Sequence, residues 1–438
     1  MAQLGPLTRR LRERDVTTKR AGVHVGTDSW FPFYAGYSQA FVRDVLSALD
    51  LSPRSTVLDP WNGAGTTSTV ADDLGYSAVG IDINPVAALI ASARLTRNED
   101  SRHCAGLARE FLKIATRRPV TISPSDALLP WLSHPLAARI RSIESAILSL
   151  VGSLDGRPVN PVNQTPPPFA AFFLLALTRA AKQFIRAKPS SNPTWMQPSS
   201  RGRVRPTTLD SSFLSVLQAS TGDIPSASPF HDLASRVLLG DSRSLPLSDS
   251  SVHAVITSPP YCTRLDYFNA TCFELAVLGL GSDNPQHRAL RASAMGTNLL
   301  READRDVLRD LPPSVRRLLT TIRTHPSKAS DSYYLRSYTQ YFHDALRSLR
   351  ELRRVLQPGA PAVFVVQSSY YKEVPVPLAS LYVSLARHVG MQATRLHQAP
   401  VTRVLANIHR HATPLRGSRR YTEDVVLAVA PAAPSHAA

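Results

Sequence analysis

Apolar residues fall along this chain in two rhythms. Short runs rich in β-branched residues are Thr56-Val57-Leu58, Ala78-Val79-Gly80-Ile81, Val237-Leu238-Leu239, Val252-His253-Ala254-Val255-Ile256, Ala362-Val363-Phe364-Val365-Val366 and Val425 to Val429. Their length and near-continuous apolar character predict strands buried on both faces, as in a parallel sheet. Between them lie stretches with helical spacing. Ser38 to Leu49 carries Phe41, Val42, Val45, Leu46 and Leu49 on one face. Ser337 to Leu356 reads as a long amphipathic helix ended by Pro358-Gly359, and Leu378 to His388 as another. Strands alternating with helices predict an α/β fold of Rossmann-like type.

Two stretches break the alternation. From Asn98 to about His231 helical patterns take over, at Ala105 to Thr116, Ala137 to Val151 and Phe169 to Phe184, the last preceded by Pro166-Pro167-Pro168. A basic stretch rich in Pro and Ser follows, with Lys188, Arg201, Arg203 and Arg205. It predicts an inserted helical unit with a flexible basic loop. Residues 280–330 form a second interruption, with Arg288, Arg291, Arg301, Arg305, Arg309, Arg316, Arg317 and Arg323 in helical text. Residues 1–23 are polar and charged and read as a mobile basic arm. The chain thus divides into the arm at 1–23, a core at 24–97, an insert at 98–233, core at 234–279, a basic insert at 280–330 and core at 331–438.

Chemistry gathers at strand ends. After Thr56 to Leu58 comes Asp59-Pro60-Trp61-Asn62-Gly63-Ala64-Gly65-Thr66. Gly63 and Gly65 allow a sharp turn and close approach to a ligand, and the helix after it points its N-terminus there. Asp82 follows the second strand, placed to accept hydrogen bonds from ribose hydroxyls or, alternatively, to cap the next helix. The run ending at Ile256 leads into Thr257-Ser258-Pro259-Pro260-Tyr261. Neither proline can continue a central strand, so the loop sits at the carboxyl end of the sheet, where ligands of open α/β sheets bind. There a Ser hydroxyl and a Pro carbonyl can accept from a planar amino group, and the Tyr ring can stack on that plane. A plain strand-ending turn with a packed Tyr would have the same residues.

The two loops together resemble those of S-adenosylmethionine-dependent amino-methyltransferases, specifically DNA methyltransferases acting on cytosine N4 or adenine N6. That family pairs an Asp-Pro-Phe-x-Gly-x-Gly-Thr loop with a Ser/Asp/Asn-Pro-Pro-aromatic loop. Trp61 stands where the family usually has Phe, and Asn62 where Cys is frequent. The resemblance covers roughly residues 24–97 and 234–438. It implies a Rossmann-like methyltransferase core with inserted, mainly helical segments. It implies S-adenosylmethionine held by Phe31, Tyr34, Asp59, Pro60, Trp61, Gly63, Gly65, Thr66, Asp82 and Asp241, and catalysis at Ser258, Pro259, Pro260 and Tyr261. The aromatic segment with Phe31 and Tyr34 reads equally as a hydrophobic cap on the sheet. Ser at the head of the second loop is commoner in cytosine-N4 enzymes, Asp or Asn in adenine-N6 enzymes.

Charge adds a partner. The 438 residues carry a net charge of +17 with Arg far ahead of Lys, which favours a polyanion. GC-rich coding bias alone would also raise Arg. DNA is the expected partner, with RNA as the alternative, and Arg201, Arg203, Arg205 and Arg264 are candidate contacts. Arg264 and Asp266 could equally pair with each other. The inserts read as target recognition or as scaffold. Three scattered cysteines, Cys104, Cys262 and Cys272, fit a reducing cytoplasm and neither a disulfide framework nor a zinc site. No Pro-Cys pair is present, which disfavours methylation at cytosine carbon-5. No membrane-spanning run, signal peptide or metal spacing is apparent. A restriction or defence protein is a companion the resemblance implies. A non-catalytic nucleic-acid-binding protein with a methyltransferase-like core is the alternative from another class.

Overall fold

The computed structural model describes residues 4–13, 26–31, 36–154, 157–189, 196–201, 204–224, 234–262, 266–301, 307–401 and 419–432. Seven strands form the central sheet: β1 Thr56–Asp59, β2 Ser77–Asp82, β3 Arg236–Leu239, β4 Ala254–Thr257, β5 Pro361–Gln367, β6 Gln392–Val401 and β7 Tyr421–Val429. Their order across the sheet is β6-β7-β5-β4-β1-β2-β3. β1 to β5 run parallel, and β7 runs antiparallel to both β5 and β6. The chain winds outward in one direction from β1 and in the other from β4. The crevice at their carboxyl ends is therefore the switch point where such a sheet binds its ligand.

The period of two in the strands sorts side chains between faces. Val57, Ile256, Val363, Val365, Val425 and Leu427 bury against one face with helices α1 Leu4–Glu13, α2 Gln39–Leu49 and α3 Thr66–Asp73. Leu58, Val79, Ile81, Val255, Phe364 and Val426 bury on the other. The Rossmann-like α/β expectation is met.

α4 Pro85–Arg94 leads into the first insert, where α5 Asn98–Arg117, α6 His134–Val151, α7 Pro168–Lys182 and α8 Pro206–Thr221 follow. They share an extended core with Trp30, Phe111, Phe172, Phe173 and Phe213. The second insert carries α9 Pro285–Ser293 and α10 Pro313–Arg323. The core resumes with α11 Leu335–Val355 and α12 Leu378–His388. After β5 the chain makes a hairpin, Ser369–Tyr371 against Val374–Val376.

Three features depart from the sequence reading. Leu4–Glu13 is a helix whose Leu11 is buried against the sheet edge, not simply a charged arm. Part of the expected flexible basic loop is α8, with Leu209, Phe213 and Leu217 buried. β6 was not expected, because most of its residues are exposed or half-buried and the usual apolar signal is thin. Among the described residues, no helix is long and apolar enough to cross a membrane.

Candidate active site

The glycine loop leaves β1 at Asp59 and enters α3 at Thr66. Gly63 and Gly65 adopt φ of 49° and 86°, the left-handed region where a side chain is strained. A Cβ on Gly65 would also lie 2.8 Å from Ala91 Cβ on α4. Gly80 has a different use. Its missing side chain is the space occupied by the Asn62 carboxamide, and a Cβ there would stand 2.3 Å from Asn62 Nδ2. Asn62 Oδ1 accepts from Ser68 at 3.1 Å. The residue that departs from the resembled pattern is thus a fastening point of the loop. Trp61 is half-buried, and its Nε1 is a buried donor with no partner among the described residues.

Asp59 is buried and its oxygens take several protein donors. Thr257 donates to Oδ1, as does the Trp61 amide at 3.1 Å, and Tyr37 donates to Oδ2 at 3.0 Å. Thr67 completes the knot by donating to the Ile256 carbonyl at 3.1 Å. The ends of β1 and β4 and the aromatic segment before α2 are therefore tied at one carboxylate. Burial raises the Asp59 carboxyl to about 6, against the pull of Thr257, Trp61 and Tyr37. Sequence reasoning missed Tyr37 and Thr257 as functional supports, although both stand within a few residues of the quoted motifs.

Asp82 is half-buried at the tip of β2. Its Oδ2 accepts from the Gly63 amide at 2.8 Å and its Oδ1 from the Asn84 amide at 2.9 Å. Burial outweighs these donors and raises the carboxyl above its usual range. A carboxylate has about four lone-pair sites; the Ile83 amide also acts on this one, so one remains for a ligand. The cap of α4 is Asn84, which accepts from the Val86 amide at 3.0 Å. Asp241, just past β3, has a different setting. Arg243 surrounds it: its amide and Nε reach Oδ1 at 2.9 Å, and its Nε and Nη2 reach Oδ2 at 3.1 and 2.6 Å. Burial alone would raise Asp241, but Arg243 overcomes it and holds the carboxyl low.

The Ser258 hydroxyl donates to the Val365 carbonyl on β5 at 2.9 Å. With its proton fixed there, the oxygen's lone pairs are left to accept. The Tyr341 hydroxyl donates to the Pro260 carbonyl at 2.8 Å. Tyr261 is half-buried, and burial followed by the nearby charge of Glu423 raises its phenol to about 12, so it stays protonated at neutral pH. The second insert presses on this loop: at Gly296, φ 76°, a Cβ would stand 2.9 Å from the Tyr261 carbonyl. Asp266 is buried and pairs with Arg291 of α9 at 2.6 Å, so it is not a solvated surface charge.

Phe31 is buried beside α7, with Lys182 Nζ 5.0 Å from its ring centroid. Arg94, at the end of α4, joins it to the glycine loop. Arg94 is buried, donates to the Ala64 carbonyl at 2.8 Å and to the Phe31 carbonyl at 3.4 Å, and pairs with Asp28 at 3.2 Å. Nothing in its sequence context distinguished it from a solvated helix-end arginine. Pro60 is buried and Thr66 half-buried in the same loop. Arg201 and Arg205 are exposed on the first insert. Tyr34, Arg203 and Arg264 lie outside the described residues, as do Arg305, His409, Arg410 and His411.

No family model matches the chain. Its similarity to curated proteins nevertheless extends over most of its length. It is 24% identical over 425 residues to the Type II methyltransferase M.BsoBI of Geobacillus stearothermophilus, covering 88% of this chain and 82% of that one. To the Type II methyltransferase M.AvaI of Nostoc sp. it is 23% identical over 405 residues, covering 85% and 80%. Likeness to solved structures is remote. A putative sarcosine dimethylglycine methyltransferase from Galdieria sulphuraria aligns with TM-score 0.30 and 9% identity, covering 90% of this chain and 85% of that one. Along most of its length the chain is similar to the type II methyltransferases M.BsoBI and M.AvaI.

Proposed function

We propose that this chain methylates an exocyclic amine of a DNA base, with cytosine N4 as the favoured target. The observation that supports this reading is the Ser258 hydroxyl, whose proton is given to the Val365 carbonyl so that its lone pairs are left to accept, in a loop at the switch point of the sheet.

S-adenosylmethionine supplies the methyl group, on a sulfonium whose departure as a thioether needs no activation by the protein. The residues present fit it. Gly63 and Gly65 open the turn, Asp82 keeps an acceptor site for a ribose hydroxyl, and the orphan Trp61 indole N–H offers a donor. Phe31 would contribute apolar wall. Asp59 would act through position, by fixing the loop between β1 and β4. Asp241 would shape the adenine end together with Arg243, which uses its acceptor sites.

The reacting amine has a lone pair delocalised into the base. Hydrogen bonds from the amine to Ser258 Oγ and the Pro259 carbonyl draw it toward tetrahedral geometry, alignment supplies much of the remaining rate, and the proton lost from the methylated nitrogen passes to solvent. A duplex base must leave the stack to reach the loop, and the neutral Tyr261 ring can hold it. Carbon-5 chemistry is poorly served, because burial pushes the Cys262 thiol well up and away from a thiolate. A companion nuclease is the partner that this function implies, testable by co-purification with the tagged chain.

The deciding experiment treats DNA with purified protein and S-adenosylmethionine and analyses the nucleosides by mass spectrometry. N4-methylcytosine is expected. N6-methyladenine alone would overturn the choice of base, and methylation of RNA but not DNA would overturn the choice of polymer.

A further inference from the structure

The hairpin after β5 and the start of β7 make a surface that none of the roles above uses. Tyr370 stacks edge-to-face on Tyr421 with centroids 5.2 Å apart, and the Arg419 guanidinium lies 5.5 Å from the Tyr370 centroid. Lys372 Nζ lies 5.9 Å from the Tyr334 centroid. Lys372 and Arg420 are exposed, as is Lys328, while Tyr334, Tyr370 and Tyr421 are half-buried.

These groups are held in place. The Tyr370 hydroxyl donates to the Arg420 carbonyl at 3.0 Å and accepts from its amide at 3.1 Å. Arg419 Nη2 donates to the Lys372 carbonyl at 2.6 Å. Lys372 itself sits in the hairpin turn at φ 50°. Gly or Asn would occupy that conformation with less strain, and strain of this kind clusters where a side chain has work beyond folding. Of the acids here, Glu373 is engaged with His325 at 2.8 Å, Asp331 is exposed, and Glu423 and Asp424 at the start of β7 are buried.

The surface adjoins the catalytic loop. Ser258 bonds to Val365 on β5, and Glu423 on β7 lies close enough to Tyr261 for its charge to act on the phenol. At about 3.3 Å per strand residue, Tyr421 stands roughly 7 Å beyond Glu423 and Tyr370 roughly 16 Å beyond Val365. That reach corresponds to about five nucleotides at 3.4 Å each. Cations beside half-buried rings suit a polymer that alternates phosphate with planar bases.

We propose that this tyrosine–cation surface contacts the DNA strand flanking the target base, with Lys372 and Arg420 on phosphates and Tyr370 against a neighbouring sugar or base. The assignment rests on the DNA reading above. It moves part of the expected DNA contact from the inserts to the core itself.

The test compares the full-length double variant Lys372→Glu/Arg420→Glu with Arg117→Glu/Arg118→Glu. The second pair is exposed at the end of α5 and changes net charge equally. Fluorescence anisotropy with a labelled mixed-sequence duplex is read across a salt series. The first variant should bind about tenfold or more weakly, with a log–log salt slope smaller by about two, since each phosphate contact contributes about 0.9. The control should keep the wild-type slope, and S-adenosylmethionine affinity by calorimetry should be the same in all three. Equal losses in both variants, or no loss in the first, would overturn the surface while leaving the DNA reading intact. A wild-type chain that binds no DNA would overturn both.

Discussion

Asp59 is a carboxylate kept from water at the point where two strands end, and its titration carries a sign. Its folded value of about 6 lies above the ordinary one. Between about pH 4 and pH 6 Asp59 is therefore more protonated in the native state than in the unfolded chain, and its contribution to stability falls as pH rises through that window. The full difference is about 3 kcal/mol. Asp59→Asn lacks this term, so the stability advantage of wild type over the variant should widen as pH drops from 7 to 4. Urea unfolding across that range is the measurement, and a constant gap would refute the assignment. Two further substitutions separate binding from turnover. Asp82→Ala should weaken S-adenosylmethionine binding by about 1–3 kcal/mol, the loss expected for hydrogen bonds to a charged acceptor; calorimetry reads it. Ser258→Ala should lower kcat while leaving cofactor affinity within about twofold, because the proposed partner of its hydroxyl is the amine and not the sulfonium donor. Asp82 and Ser258 were legible because their positions after apolar runs place them at the sheet edge. Arg94 and Tyr37 were not. A buried arginine and a solvated one have the same sequence signature, and only the fold brings Arg94 to the Ala64 carbonyl.

At the scale of elements, the central strands were the easiest part to read. They are buried on both faces and so are apolar without interruption. β6 hid because it lies at the sheet edge with polar residues along it, and α8 hid inside text rich in Ser and Thr. Its core contacts, Leu209, Phe213 and Leu217, are spaced at four. α1 hid behind its arginines, which stay exposed while Leu11 reaches the sheet. Gly80 exposes a dependence between neighbouring elements that no strand pattern could show: β2 must lack a side chain for Asn62 to seat the loop from β1. Gly80→Ala should therefore displace Asn62 and cost about 1–3 kcal/mol of stability, the range for overpacking a tight site. Cofactor affinity should fall with it. A variant with wild-type melting temperature and affinity would show that the loop has slack there.

Across the whole molecule, the second insert is locked to the core through charge. Asp344 on α11 is buried, pairs with Arg243 at 2.8 Å and also holds Arg301 of the insert. Arg243 in turn donates to the Ser293 carbonyl at 2.7 Å. Asp344→Ala strands Arg301 and leaves Arg243 with Asp241 alone, and should lower the unfolding free energy by about 3–5 kcal/mol, the cost of breaking a buried pair from one side. Denaturant unfolding measures it, and a loss below about 1 kcal/mol would mean the cations relax into solvent. The sheet has another consequence, for synthesis. β1 pairs directly with β4, across about 200 residues of intervening chain. At ribosomal speeds of about 5–20 residues per second, the open edge of β1 waits roughly 10–40 s for its partner to emerge. The first insert has much of its own apolar core and can gather during that interval. Pulse-labelled hydrogen exchange during refolding should accordingly protect amides of α5 to α7 before those of β4. An unpaired, apolar strand edge is a template for another chain. The joint that frames the candidate site is thus also where a nascent copy is most exposed to aggregation.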